Sequence, residues 1–227
     1  MDLILYALAP VAAVILYIYF KDKYEKEPKK LLILSFILGA IVSVILALIL
    51  YGVFDIVLPL TNSLSIGQQF VQAFFVVGFT EELSKYLIVF FFAQRNKEFN
   101  EPFDGIVYAV MVSMGFAATE NIMYVMESGI STAVLRAFTA IPAHATFGIL
   151  MGYFMGKAKF SNNRFILNMA GLGLAILFHG AYDFFLFIDF VPGIWIGAIV
   201  SLIVAILLSR KAIKKHQDIS YFNIENK

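Results

Sequence analysis

Residues 31–57 read LLILSFILGAIVSVILALILYGVFDIV, with Asp55 as their only charged residue. A helix needs roughly 20 apolar residues to cross the hydrocarbon core of a bilayer, so this stretch is long enough to span it. Six more stretches have the length of a span, although the third and fourth spans contain charged residues. A helical hairpin, or six spans in total, remains an alternative. The seven predicted spans cover residues 3–20, 31–57, 68–93, 103–126, 133–156, 165–188 and 191–209.

The composition agrees with an all-α membrane protein. Hydrophobic residues make up 61% of the chain and charged residues 15%, whereas a soluble domain has about 25% charged residues. The chain has no cysteine, which excludes disulfides, iron–sulfur clusters and cysteine-ligated metals. The net charge of +1 gives no reason to expect nucleic acid as a partner. We predict a polytopic transmembrane helical bundle in the lipid bilayer, forming one domain over residues 1–209. A short basic tail follows at 210–227 and is expected to form a short helix that frays.

The positions of the basic residues predict the orientation of the bundle. All Lys and Arg residues except Lys85 and Arg136 fall in the first, third and fifth loops or in the tail. Because cytoplasmic loops are enriched in Lys and Arg, the N-terminus is expected outside and the C-terminus in the cytoplasm. No positive charge precedes the apolar run that begins at Leu3, so this run is expected to be a retained span rather than a signal peptide.

Seven ionisable side chains fall inside four of the predicted spans. A charged side chain costs roughly 2.5–3.5 kcal/mol at the bilayer centre on insertion scales, so these groups are expected to face the bundle interior and to pair with one another. Counting about 1.5 Å per residue from the outer end of each span brings them to one layer in the outer half of the membrane. They are Glu81, Glu82, Lys85, Glu120, His144, His179 and Asp183.

The third span contains the charged stretch GFTEELSK at residues 78–85. Glu81 and Lys85 are four residues apart and therefore share one helix face, while Glu82 points about 100° away and can reach a different neighbour. The pattern suits a catalytic acid beside a cation. It equally suits a plain Glu–Lys pair that locks two helices together.

The fifth span places His144 two residues after Pro142, which is expected to open the helix locally because proline removes a backbone hydrogen bond. Glycines recur at every fourth position below it and allow close helix packing, so His144 is expected to face a neighbouring helix. A lone interior histidine is often only a hydrogen-bonded core residue, but this one shares its depth with carboxylates. The glycines are Gly148, Gly152 and Gly156.

The fourth and sixth spans complete the set of candidates. Glu120, followed by Asn121, has small neighbours that let another helix approach closely. Alternatively, it only hydrogen-bonds Asn121 or Tyr124 and faces a water-filled space at the outer surface. His179 and Asp183 lie four residues apart on one face. This spacing suits two metal ligands, or a carboxylate that orients an imidazole, or a plain hydrogen bond.

Together these motifs resemble those of the PrsW family, bacterial membrane proteases that make the site-1 cut in anti-sigma factors. The resemblance implies a protease of the bacterial cell membrane that cuts a single-span anti-sigma factor near the extracytoplasmic boundary. It rests, in chain order, on EELSK at 81–85, EPFDG at 101–105, FAATEN at 116–121, His144, and HGAYD at 179–183.

The PrsW family is in turn similar to the type II CAAX prenyl endopeptidases. That resemblance implies that Glu81 activates water and that His179 and Asp183 support the oxyanion. The chain departs from the wider pattern at two positions, since Glu120 stands where that group has histidine and Asp183 where it has asparagine. Both departures add carboxylates, which favours a bound metal here.

Two mechanisms of peptide hydrolysis are left open. In the first, Glu81 is the general base, Lys85 keeps it ionised and a histidine donates to the oxyanion. In the second, the two histidines and one or two carboxylates bind Zn²⁺, although no H-E-x-x-H motif is present. The predicted catalytic residues are Glu81, Glu82, Glu120, His144, His179 and Asp183, with Lys85 and Asn121 in support, and the candidate metal ligands are His144, His179, Glu120 and Asp183.

Two other classes of function are weighed against a protease. An ion or proton transporter also lines acids and histidines through a bundle, but it needs a polar route to both faces, and the cytoplasmic halves of these spans are almost wholly apolar. A catalytically silent scaffold or immunity-type protein that grips another membrane protein would tolerate loss of Glu81 and His179.

Overall fold

The computed structural model describes residues 2–223, and within them the chain forms seven helices and no strand. Six of these helices are long and apolar enough to cross a membrane, and the other, α3, carries Glu81, Glu82 and Lys85 near its middle. The all-α prediction is therefore confirmed. The helices are α1 (Asp2–Lys21), α2 (Lys29–Val57), α3 (66–93), α4 (Pro102–Ser128), α5 (Ile130–Lys159), α6 (Arg164–Phe187) and α7 (Ile196–Asp218).

The seventh helix differs from the predicted span. It begins five residues later than expected because residues 188–195 form turns, with Gly193 at a positive φ of 77° that favours glycine. It also continues past Arg210 to Asp218, and Ala212, Ile213 and His216 are buried. The tail is helical as expected, but as far as Asp218 it packs on the bundle instead of fraying, because these side chains form a stripe that faces the bundle. Residues 224–227 lie outside the described part of the chain.

Helix α5 is interrupted at Thr139, where φ is −123° and ψ is −79°. It therefore consists of Ile130–Phe138 and Ala140–Lys159. The sequence predicted that the helix opens at Pro142, and the interruption instead lies three residues earlier, at Thr139. Proline is tolerated in the first turn of a helix, where its missing N–H needs no partner, and the interruption places Pro142 in such a turn. His144 consequently sits near the start of a regular helix.

Helix α4 lies at the centre of the bundle and contacts α1, α2 and α5. Its approach to α5 is very close. A Cβ added to Gly152 would lie 2.3 Å from the carbonyl oxygen of Gly105, and one added to Gly156 would lie 2.0 Å from that of Pro102. Only glycine permits this separation, so the predicted role of the glycine stripe in helix packing is confirmed.

We expect Gly152→Ala to lower the free energy of unfolding by about 1–3 kcal/mol, the range typical of overpacked sites, because the backbone of α4 must move away. Gly173→Ala on α6 is the matched control, since nothing lies within 4 Å of a Cβ added there. Chemical unfolding of both purified variants in the same detergent checks the difference. Equal stability of the two variants would contradict the close α4–α5 contact.

The basic loops and the end of α7 meet at one end of the bundle, which we call the basic end. The described Lys and Arg residues of the first, third and fifth loops and of α7 lie there, as their order in the sequence predicted. The side-chain contacts that join these segments are Asn100 to Glu25, Ser220 to Glu101, Gln217 to Lys21 and Lys159 to Gln94.

The EPFDG segment starts α4 at the basic end. Glu101 and Asp104 form a reciprocal capping box, in which each side chain accepts a backbone N–H of the other residue. One turn further along, the Tyr108 hydroxyl donates to the carboxylate of Glu27 in the first loop. Burial raises the pKa of Glu27 to about 7, although the Tyr108 hydroxyl opposes this shift. The segment thus fixes both the start of α4 and the first loop.

Candidate active site

The charged turn of α3 lies in the bundle interior. It follows Gln72–Gly78, a widened stretch of helix with i→i+5 hydrogen bonding, and such stretches are frequent at functional sites. Glu81, Glu82 and Lys85 are each at most 5% exposed. The Nζ of Lys85 is 2.8 Å from Oε1 of Glu82 and 3.4 Å from Oε2 of Glu81. The expected Glu81–Lys85 pair is present, and Glu82 shares the same cation.

His144 connects α3 to α4. Its Nδ1 lies 3.1 Å from Nζ of Lys85, and its Nε2 lies 2.9 Å from Oε2 of Glu120. A lysine ammonium group only donates, so we assign Nδ1 as the acceptor and Nε2 as the nitrogen that donates to Glu120. The hydrogen-bond partners thereby fix one tautomer of this imidazole.

His179 on α6 reaches the same charged turn. Its Nδ1 is 2.8 Å from Oε1 of Glu82, and a carboxylate only accepts, so Nδ1 carries a proton. Its Nε2 lies 3.3 Å from Oδ2 of Asp183 and 3.9 Å from Oε2 of Glu81. The ring of Phe147 stacks on this imidazole with centroids 5.0 Å apart. The Glu82 contact sets the tautomer, as a second carboxylate does for many ligating or catalytic histidines.

Two residues without a predicted role also belong to the site. The hydroxyl of Tyr51 on α2 donates to Oε1 of Glu81 at 2.9 Å. Arg136, in the short first part of α5, donates to Oε2 of Glu120 and to Oδ1 of Asn121, both at 2.7 Å. Asn121 thus supports the site through Arg136. The sequence signal for Arg136 was its isolation as a basic residue away from the basic end, whereas Tyr51 has no such signal within an apolar span.

These side chains surround a hollow of about 670 Å³, a size typical of ligand sites. Glu82 and Lys85 do not line the hollow and lie behind its wall, so they act through the residues that do. The prediction that four helices bring their ionisable groups together is confirmed, and α2 contributes as a fifth helix. The polar side chains that line the hollow are Tyr51, Gln72, Glu81, Glu120, Tyr124, Glu127, Arg136, Thr139, His144, His179, Tyr182 and Asp183.

The part of the chain that builds this hollow is similar to known proteins. Residues 27–210, which include every helix that lines it, match the family described as PrsW family intramembrane metalloprotease. The chain belongs to this family. The PrsW family assignment makes it a membrane-embedded protease of the bacterial cell membrane.

Curated proteins named Protease PrsW match most of the chain. The identity is 40% over 181 residues for the protein of Oceanobacillus iheyensis, which covers 79% of this chain and 80% of that protein. It is 36% over 187 residues for that of Geobacillus kaustophilus (82% and 80%) and 35% over 221 residues for that of Clostridioides difficile (92% and 87%). No solved structure matches the chain.

The PrsW family description implies a metal, and the side chains of the hollow fit a divalent cation. One ligand atom each from Glu81, His144 and His179 lie within 4.8 Å of one another. Nitrogen and oxygen donors of this kind suit Zn²⁺. If Nε2 of His179 is unprotonated, it and Oδ2 of Asp183 both present lone pairs at 3.3 Å, and two such acceptors need a proton or a cation between them. The predicted ligands Glu120 and Asp183 are not in the compact group of three, but each contacts one of its histidines.

The net charge of the site also favours a bound divalent cation. Four carboxylates meet there, while the fixed cations among the described residues of the site are Lys85 and Arg136. With neutral histidines, the site therefore carries two uncompensated negative charges in a low-dielectric interior. A divalent cation, or protonation of both histidines, would neutralise them.

Proposed function

We propose that this PrsW-family protease makes the site-1 cut in a single-span anti-sigma factor, by general-base hydrolysis at Glu81. The hollow that Glu81 shares with two histidines is the observation that carries the proposal. Its lining extends to Glu127 near the end of α4 and to Phe187 at the end of α6. Both helix ends lie opposite the basic end, so a substrate approaching from that side of the bundle reaches the carboxylate.

The orientation follows from the distribution of charge. With the basic end in the cytoplasm, as the enrichment of Lys and Arg in cytoplasmic loops requires, the hollow lies in the extracytoplasmic half of the membrane. The scissile bond is then expected near the extracytoplasmic boundary of the substrate span. This position agrees with a first cut that removes an external domain.

Glu81 is the carboxylate best arranged to accept a proton from water. Tyr51 donates to its Oε1, and Lys85 lies 3.4 Å from its Oε2, so two donors favour the ionised form. An ionised carboxylate lining the hollow can take a proton from the attacking water and return it to the leaving amine. The Tyr51 proton stays on Glu81, so without a metal the donor to the developing oxyanion would be Nε2–H of His144, which must turn from Glu120 towards the hollow.

His179 would hold a metal through Nε2, because its Nδ1–H donates to Glu82. His144 would join it once its Nε2 loses the proton that it donates to Glu120, with Glu120 or Asp183 as the adjoining carboxylate. When bound there, Zn²⁺ would supply Lewis acidity that polarises the scissile carbonyl. Glu81, within 4.8 Å of both histidines, stays beside the cation as the base.

The transporter alternative finds no support in the bundle. Between Lys85 and Gln94, α3 carries only Tyr, Leu, Ile, Val, Phe and Ala residues, so no chain of ionisable groups leads along α3 from the site to the basic end. A transporter would require such a route. Activity measurements are what distinguish a catalytically silent scaffold from a protease.

The test reconstitutes purified protein in lipid vesicles with a candidate single-span anti-sigma factor of the same bacterium. We expect one cut near the extracytoplasmic boundary, located by mass spectrometry of the products. A cut on the side of the basic end would contradict the orientation. Absence of any cut by active protein would remove this substrate class.

Exhaustive chelation tests the metal separately from the substrate. We expect chelated protein to lose activity, to regain it on addition of Zn²⁺, and to contain about one metal ion per chain beforehand by elemental analysis. Full activity in chelated protein that contains no metal would refute the metal and leave Glu81 as the base.

A further inference from the structure

Two cavities lie next to each other towards the basic end, on a side of the bundle away from the hollow. The first, which we call the basic pocket, has a volume of about 330 Å³ and lies between the ends of α1 and α7. The second, which we call the apolar slot, also measures about 330 Å³ and lies between α1, α5 and α7. Tyr17, Arg210 and Ile213 line both cavities, so the basic pocket lies directly beside the apolar slot.

Four cations from distant parts of the sequence converge on the basic pocket. They are Lys21 at the end of α1, Lys23 in the first loop, and Arg210 and Lys214 on α7. Among residues 2–223, none of the four forms an ion pair, and Asp218 is the one carboxylate in the described lining. Four positive charges around one pocket repel one another, so the pocket is arranged for an anion.

The apolar slot supplies a different surface directly beside these charges. Its walls are mostly small and aliphatic side chains, and Arg210 marks the junction with the basic pocket. The slot lies along helices that cross the membrane, where hydrocarbon chains are available as occupants. Its lining away from the junction comprises Ala13, Val14, Ile18, Pro142, Ala145, Thr146, Ile149, Ile206 and Ser209.

We propose that the two cavities together bind one anionic phospholipid, with its phosphate in the basic pocket and an acyl chain in the apolar slot. Basic pockets between transmembrane helices are suited to anionic headgroups. The general enrichment of basic residues at this end does not explain the arrangement, because Lys211 and Lys215 lie on the same helix and line neither cavity. The lipid would fill the gap that α1 and α7 leave beside α5.

The test measures binding of phosphatidylglycerol and of phosphatidylcholine with identical acyl chains to the purified protein in a neutral detergent, by native mass spectrometry. We expect at least about tenfold tighter binding of phosphatidylglycerol. The double variant Arg210→Gln/Lys214→Gln should lose roughly twentyfold of that affinity, since each basic residue near the surface contributes about a factor of five. The matched control Lys211→Gln/Lys215→Gln makes the same charge change outside the pocket and should stay within about twofold.

A second variant tests the slot while all four cations are kept. Ala13→Phe adds a large ring at the lining of the slot and should weaken phosphatidylglycerol binding about tenfold. Ala12→Phe makes the same change at the adjacent position, which does not line the slot, and should not weaken it. Equal affinity for both lipids, or equal losses in the two double variants, would overturn the proposal. So would inorganic phosphate that displaces the lipid at comparable concentration, because the anion alone would then account for binding.

Discussion

Glu81→Gln is expected to reduce proteolysis by about 10³–10⁴-fold, toward the upper range of a general base. Glutamine keeps the shape of the side chain and can still accept from Tyr51, which donates to Glu81 at 2.9 Å. It cannot take a proton from water. The fold and substrate binding should therefore survive while the rate is lost, and initial rates on a single-span substrate, measured beside unfolding curves, separate these effects.

Glu127→Gln is the matched control for this prediction. Glu127 lines the same hollow but is exposed, and the same substitution there should leave the rate within about twofold because no reacting group depends on it. The metal content of Glu81→Gln protein is a further measurement. It should equal that of the unsubstituted protein, because a base that is not a ligand can be replaced without loss of the metal. Glu81→Gln protein that cleaves at a tenth of the normal rate or faster would refute the role of general base.

Hydropathy and spacing were sufficient to predict most of the fold and the main members of the ionisable cluster that forms the candidate site. Ionisable groups are costly in the bilayer, so their presence at similar depths on four spans indicated that those spans meet. The contacts of His144 with Glu120 and of His179 with Asp183 agree with that expectation. The glycine stripe likewise predicted close packing of α5 against a neighbouring helix, and the structure identifies that neighbour as α4.

The sequence could not predict features that depend on partners in space. Tyr51 lies in an apolar span, where tyrosine is ordinarily an interfacial residue, and its donation to Glu81 follows only from the position of α2 beside α3. The interruption at Thr139 depends on where Pro142 best fits a first helical turn. Helix α7 is longer than predicted because Ala212, Ile213 and His216 form a buried stripe. The tail as a whole is polar, so its composition did not indicate this stripe.

Lys85→Met is expected to have the largest effect on stability. The Lys85 ammonium group is 1% exposed and contacts Glu82, Glu81 and His144 within 3.4 Å. Its removal leaves buried carboxylates without their cation, and breaking a buried pair in this way typically costs about 3–5 kcal/mol. The free energy of unfolding in one detergent measures the loss. Lys97→Met is the control, because Lys97 is exposed and its contact with Glu98 at 3.8 Å should contribute little.

The double variant Lys85→Met/Glu82→Gln distinguishes a charge effect from lost packing. If Lys85 acts mainly by compensating Glu82, which it contacts at 2.8 Å, removing both charges should restore much of the stability lost in the single variant, and the two substitutions should be strongly non-additive. Proteolysis should not return, because Glu81 and His144 still lack the ammonium group that orders them. A double variant no more stable than Lys85→Met would show that the pair does not balance charge, and the buried Glu82 would then have to be compensated by His179 alone.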